Sequence, residues 1–152
     1  MRIVVDDLTG PQIAAMLAEH LADMAASTPE PESRHALDLA ALRAPDITFW
    51  SVWDGGELVG CGALKLLSDD HGELKSMRTS PARRRTGVAS ALVAHIIDHA
   101  RSVGLARLSL ETGSGDAHAP ARALYARFGF TECEPFAGYR PDPNSTFMTR
   151  TL

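Results

Sequence analysis

The chain has 152 residues, 45% of them hydrophobic, with 15 Lys and Arg against 19 Asp and Glu, a formal charge of −4. That is enough to build one domain with a proper core and too little for two, and the acidic balance argues against general nucleic-acid binding. No apolar run approaches the roughly 20 residues of a membrane span, and Met1 to Asp7 lacks a signal peptide's apolar core, so a soluble, cytoplasmic protein with no membrane partner is expected.

Arg2 to Val5 reads as a strand, and Thr9-Gly10-Pro11 opens a helix to about Ala26 with Ile13, Leu17 and Leu21 on one stripe, ended by Pro29 and Pro31. A second helix is expected over Ser33 to Arg43, carrying Leu37, Leu39 and Leu42 and stopping before Pro45. Ile47 to Trp53 and Glu57 to Leu67 are strand runs joined by the hairpin signal Asp54-Gly55-Gly56, and a turn at Asp69 to Gly72 leads into a third strand, Glu73 to Thr79. After Ser80-Pro81 comes a helix with Val88, Leu92, Ile96 and Val103 on one stripe and Val93, Ile97 and Ala100 beside it, capped by Gly104. Leu105 to Thr112 alternates as a strand, Ala119 to Phe128 is a short helix closed by Gly129, and two strands end the chain near Phe130 to Cys133 and Thr146 to Leu152. The order β-α-α-β-β-β-α-β-α-β-β combines hairpins with one right-handed crossover, so a mixed, mostly antiparallel α/β sheet of the α+β type is expected.

The junction between the third strand and the long helix carries the chemistry. Leu74 to Ile97 holds five basic residues (Lys75, Arg78, Arg83, Arg84, Arg85) and no acid, in a chain that is net negative. Arginines at a helix N-terminus oppose its macrodipole unless an anion sits between them. Thr86 and Gly87 can turn successive N–H groups toward one oxygen cluster, and small Ala89 and Ser90 admit a phosphate. The alternative is a solvated basic loop. The turn lacks the endings of a nucleotide P-loop and of a dinucleotide fold.

Arg84-x-x-Gly87-x-Ala89 is similar to the pyrophosphate-loop motif of the GNAT family of N-acetyltransferases. The resemblance extends over Glu73-Leu-Lys-Ser-Met-Arg-Thr-Ser-Pro81, like the family's central strand, and Ala121-Arg-Ala-Leu-Tyr-Ala-Arg-Phe-Gly-Phe130, like its second cofactor segment. Leu110-Glu-Thr-Gly113 and Ser145-Thr-Phe-Met148 resemble small bacterial-type members. The resemblance implies one domain over residues 1–152 that uses acetyl-CoA to acetylate an amine of a small molecule or peptide. It places backbone from Arg84, Arg85, Thr86, Gly87, Val88, Ala89 and Ser90 on the pyrophosphate and Met77, Arg78 and Thr79 along the pantetheine arm. Homodimers are frequent in the family, which makes a second copy a candidate partner.

Tyr125 falls where the family places the acid that protonates the departing thiolate; a core tyrosine is the alternative. Glu73 is the expected base for the attacking amine, on a strand face shared with Lys75, Met77 and Thr79 by the two-residue period. Glu111 on the neighbouring strand is the alternative carboxylate, unless it pairs with Lys75. His118 stands seven residues before Tyr125, where many relatives have an asparagine that bonds the cofactor arm, and an imidazole there differs in reach and charge. Phe136 and Tyr139, in the irregular segment Glu134 to Asn144, join Lys75 and Glu111 as the expected acceptor-binding set.

No metal is expected. Cys61 and Cys133 have no Cys-x-x-Cys spacing and read as packing residues, His95 and His99 as a helix-surface pair, and Phe49, Trp50 and Trp53 as core. Two rival functions remain: a non-catalytic acyl-CoA sensor, and nucleic-acid binding through the arginines.

Overall fold

The computed structural model describes residues 1–28, 30–33 and 37–152. Strands β1 (Arg2–Val5), β2 (Ile47–Asp54), β3 (Glu57–Leu66) and β4 (His71–Thr79) run antiparallel in that order, with Gly55 at positive φ in the β2–β3 turn. β5 (Arg107–Gly113) lies parallel to β4, β7 (Ser145–Thr151) pairs antiparallel with β5, and the two-residue β6 (Thr131–Glu132) forms the far edge. The sheet order is β1-β2-β3-β4-β5-β7-β6, mixed and mostly antiparallel as expected.

Helix α1 (Pro11–Ser27) covers one face, burying Ile13, Met16 and Leu17 against Leu42, Phe49, Cys61 and Ala63. Helix α2 (Val88–Ser102) is the crossover between β4 and β5, and with α3 (Ala119–Arg127) it covers the other face over Trp50, Leu64, Leu74, Leu108 and Leu110. The apolar stripe of α2 behaves as its period predicts for Val88, Leu92, Val93, Ile96, Ile97 and Ala100. Val103 departs from it: the residue lies beyond the last helical turn and is 52% exposed.

The second helix is not formed as expected. Pro31–Ser33 and Ala41–Arg43 are single 3-10 turns, and residues 37–40 are irregular or turn. Pro29 and residues 34–36 lie outside the described residues. Asp38 explains the short turn, because its carboxylate accepts from the Ala41 N–H (2.8 Å) while its carbonyl accepts from the Leu42 N–H (3.0 Å). An aspartate bonded this way starts a turn instead of continuing a helix, and Leu42 is thereby buried under α1.

A bulge in β4 overturns the expected strand face. Ala63 opposes Lys75 but Cys61 opposes Arg78, so Ser76 and Met77 together face Gly62, and Ser76 has φ +55. One extra residue reverses the alternation. Glu73, Lys75 and Arg78 therefore lie on the α1 side, whereas Met77 turns over Gly62 beside Leu92. The buried Cys61 thiol, whose pKa burial pushes up to about 12, donates to the Ser76 carbonyl at 3.5 Å and pins the bulge.

Candidate active site

β4 and β5 pair from His71 opposite Arg107 to Leu74 opposite Leu110, yet both strands continue, to Thr79 and Gly113. Beyond Leu74 the β5-facing edge of β4 has no strand partner among the described residues. The gap opens a cavity of about 140 Å³ bordered by Glu73, Lys75 and Met77 on one side, Glu111 and Gly113 on the other, and Tyr125, His118, His20 and Tyr139 around it.

β4 leads through residues 80–87 into the N-terminus of α2. Gly87 is its N-cap at φ +89, a left-handed conformation favoured by glycine, and no side chain caps the helix. The amides of Val88, Ala89 and Ser90 consequently lack intrahelical acceptors. The arginine run divides here. Arg83 is bound to the β2–β3 hairpin through Asp54 (2.6 Å) and Glu57 (3.1 Å), and the Thr86 hydroxyl donates to the Arg83 carbonyl. Lys75 pairs with Glu73, and Arg78 with Asp23 (2.8 Å) and Glu19 (3.6 Å) of α1. Among the described residues Arg84 and Arg85 alone of the five cations make no ion pair, and both are exposed.

Two carboxylates face the cleft in contrasting states. Glu73 is 3% exposed, and its Oε2 accepts from the Tyr139 hydroxyl (2.5 Å) and from Lys75 Nζ (3.1 Å); Lys75 also donates to the Tyr139 oxygen (2.8 Å). Burial, with the Glu73 charge, holds the Tyr139 phenol protonated. Glu111 has no hydrogen bond or ion pair among the described residues, Lys75 being committed to Glu73, and burial raises its pKa to about 7 against the weaker opposing pull of Lys75. The expected alternative of a Glu111–Lys75 pair across the sheet is not realised, because pairing between β4 and β5 stops one residue earlier.

Tyr125 sits on α3, 6% exposed, its ring edge-on to Phe130 at 5.9 Å. Its hydroxyl has no partner among the described residues, and burial raises its pKa above the usual phenol range, widening the gap from a thiol. His118 packs its ring on Gly113, where a side chain would collide with it, and places Nε2 3.3 Å from the Ser27 hydroxyl of α1. Burial and Arg122 lower its pKa. His20, on α1, is driven down to about 4 chiefly by burial, with Arg78 adding to the effect, so its imidazole is neutral at pH 7.

Most expected site residues come together, with three adjustments. The Arg78 guanidinium is turned away to α1. Thr79 pairs with Gly60, on the face away from Glu73. Phe136 lines neither cavity near the site: its ring supports Tyr139 from 5.2 Å and Phe147 from 5.9 Å. His95 and His99 lie edge-on to Trp50, and no cluster of three metal-ligating side chains occurs among the described residues. His20 and Met24 were absent from the expected set. Both continue the Ile13-Met16-Leu17 stripe at helical spacing, and a histidine on an apolar stripe was the available signal.

Residues 10–130 match the model of the acetyltransferase (GNAT) family. The chain is 57% identical over its whole length to the uncharacterized N-acetyltransferase YsnE of Bacillus subtilis, also covered entirely, and 53% identical over 99% of its length to YedL of Escherichia coli, 94% covered. Its fold superposes with TM-score 0.81 and 29% identity on a Klebsiella pneumoniae structure provisionally assigned as an acyl-CoA N-acyltransferase, covering 99% of this chain and 97% of that one. A GNAT acetyltransferase of Elizabethkingia anophelis with acetyl-CoA bound has the same fold at TM-score 0.70 and 16% identity, with 99% and 97% covered.

Proposed function

Because this chain belongs to the acetyltransferase (GNAT) family, we propose that it transfers the acetyl group of acetyl-CoA to a primary amine by direct attack of the amine on the thioester. Family membership makes it an acyltransferase. The observation that carries the finer reading is the parting of β4 and β5 after Leu74 and Leu110, which leaves an unpaired strand edge between a free carboxylate and a free phenol.

The residues present fit a CoA donor. The uncapped amides of Val88, Ala89 and Ser90, with Arg84 and Arg85, suit a pyrophosphate, and the open edge at Met77 to Thr79 suits an amide-bearing arm. Bound acetyl-CoA supplies an activated acyl carbon and a thiolate leaving group. The Tyr125 hydroxyl is free to donate its proton to the departing sulfur. His118 borders the same cleft and contributes a neutral imidazole, donor or acceptor, toward the arm.

Glu111, rather than Glu73, takes the proton from the amine in this reading. A base must be unengaged and close to neutrality in pKa, and Glu111 is both. Glu73 is engaged twice through one oxygen, which suits it to holding Lys75 and Tyr139 in place. The test is a screen of primary amines with acetyl-CoA, following free thiol and acetylated product together. Absence of product with every amine, from protein that binds CoA, would overturn the assignment.

A further inference from the structure

Glu73, Lys75 and Tyr139 form a wall shared by two cavities. One is the cleft between β4 and β5; the other, about 540 Å³, opens on the far side of Tyr139 beneath residues 137–142. Lys65 reaches it from β3, where it lies directly opposite Glu73 and so on the same face, and Arg140 reaches it from the loop that carries Tyr139. Glu32 and Asp142 complete its charged lining.

The charges of this second cavity select a ligand type. Among the described residues three cations (Lys65, Lys75, Arg140) and three carboxylates (Glu32, Glu73, Asp142) line it. Lys75 and Glu73 neutralise one another. Lys65 and Arg140 make no hydrogen bond or ion pair among the described residues, which leaves two cations open to a ligand. A polyamine would bring like charge against them, and a polyanion would bring like charge against Glu32. A molecule with one amine and one carboxylate meets neither obstacle. An arginine and a lysine lining one cavity suit a carboxylate well, since the planar fork can bind both oxygens while the ammonium adds a point charge.

We propose that the second cavity is a carboxylate subsite and that the acceptor is a small zwitterion of the amino-acid class whose reacting amine lies several bonds from its carboxylate, the amine directed past Tyr139 to Glu111 and the carboxylate held by Lys65 and Arg140. This rests on the acetyltransferase reading above. It assigns Lys65 and Arg140 to acceptor recognition and leaves proton transfer to the cleft.

The test compares free amino acids that carry a side-chain or terminal amine with their carboxamides as acceptors for acetyl-CoA, by thiol release and mass of product, in the parent and in Lys65→Met, Arg140→Met and Arg140→Lys. The parent should favour the acid over the amide, and Lys65→Met and Arg140→Met should lower that ratio of kcat/KM by about ten- to a hundredfold, chiefly through KM, the scale of one charge-assisted hydrogen bond. Arg140→Lys should restore part of the loss. Calorimetric titration of the preferred amino acid into CoA-loaded protein should show binding in the parent and much weaker binding in both Met variants. Amides that serve as well as acids in the parent, or Met variants that reduce both alike, would overturn the carboxylate subsite and leave the acetyltransferase standing. No transfer to any amine, acid or amide, would overturn both readings.

Discussion

Leu74 and Leu110 make the last rung between β4 and β5, and one residue beyond it Lys75 and Glu111 no longer face each other as sheet neighbours. Lys75 instead lies against Glu73 and Tyr139. Glu111 is left half-buried beside the cleft with no partner among the described residues, and desolvation brings its pKa to about 7. The parting of two strands thus creates both the opening and its titrating group.

Glu111 should set the pH dependence of the reaction. As an acid whose pKa is raised in the folded state, it becomes a proton acceptor only as pH rises through about 7, so turnover should climb through that window. Glu111→Gln should lower turnover by about 10²-fold or more and remove that limb, whereas Glu73→Gln should keep it. pH profiles of kcat/KM decide; a limb that persists in Glu111→Gln assigns proton transfer elsewhere.

The same carboxyl should cost stability above its unfolded pKa. Between 4.5 and about 7 the folded state binds more protons than the unfolded one, so the stability contributed by Glu111 falls as pH rises. That interval corresponds to roughly 3 kcal/mol at most. Glu111→Gln should therefore gain stability relative to the parent at pH 8 compared with pH 4, measured by urea denaturation; an unchanged difference between the two pH values refutes the raised pKa.

Tyr125→Phe keeps the ring against Phe130 and deletes only the proton donor. Turnover should fall by about 10²-fold or more, with little change in acetyl-CoA affinity. Full activity would mean that the thiolate is protonated by another group, His118 or water.

Gly87 bears on the proposed donor site alone. Its φ of +89 disfavours any side chain, but nothing lies within 4 Å of a Cβ placed there, so a substitution is strained without clashing. Gly87→Glu should weaken CoA binding by about 10²-fold or more through bulk and like charge beside the α2 amides, and Gly87→Ala, the uncharged control, by far less. Calorimetry with circular dichroism checks this; unchanged CoA affinity in folded Gly87→Glu protein contradicts a pyrophosphate site at this turn.

Much of the architecture was legible because its causes are local. The 3.6-residue stripe of α2, the Asp54-Gly55-Gly56 turn and the glycines that follow α2 and α3 each act within a few residues, and the succession of strands with its single parallel crossover followed from them. Gly87 and Tyr125 were found through short motifs. The second helix failed as an expectation because one competing side chain, Asp38, outweighed a run of leucines.

What the sequence by itself determined was the succession of strands and helices and the positions of the arginine-rich turn before α2 and of Tyr125 on α3, since periodicity and turn chemistry need no distant partner. The tertiary structure alone decided which charges are free. The bulge at Ser76 exchanges the faces that Met77 and Arg78 would otherwise take, Arg83 is bound to a hairpin 29 residues away, and Tyr139 reaches Glu73 across 66 residues of chain. Ionisation depends on burial and on the nearest opposite charge, and both are fixed by contacts between segments whose separation in sequence carries no trace of their meeting.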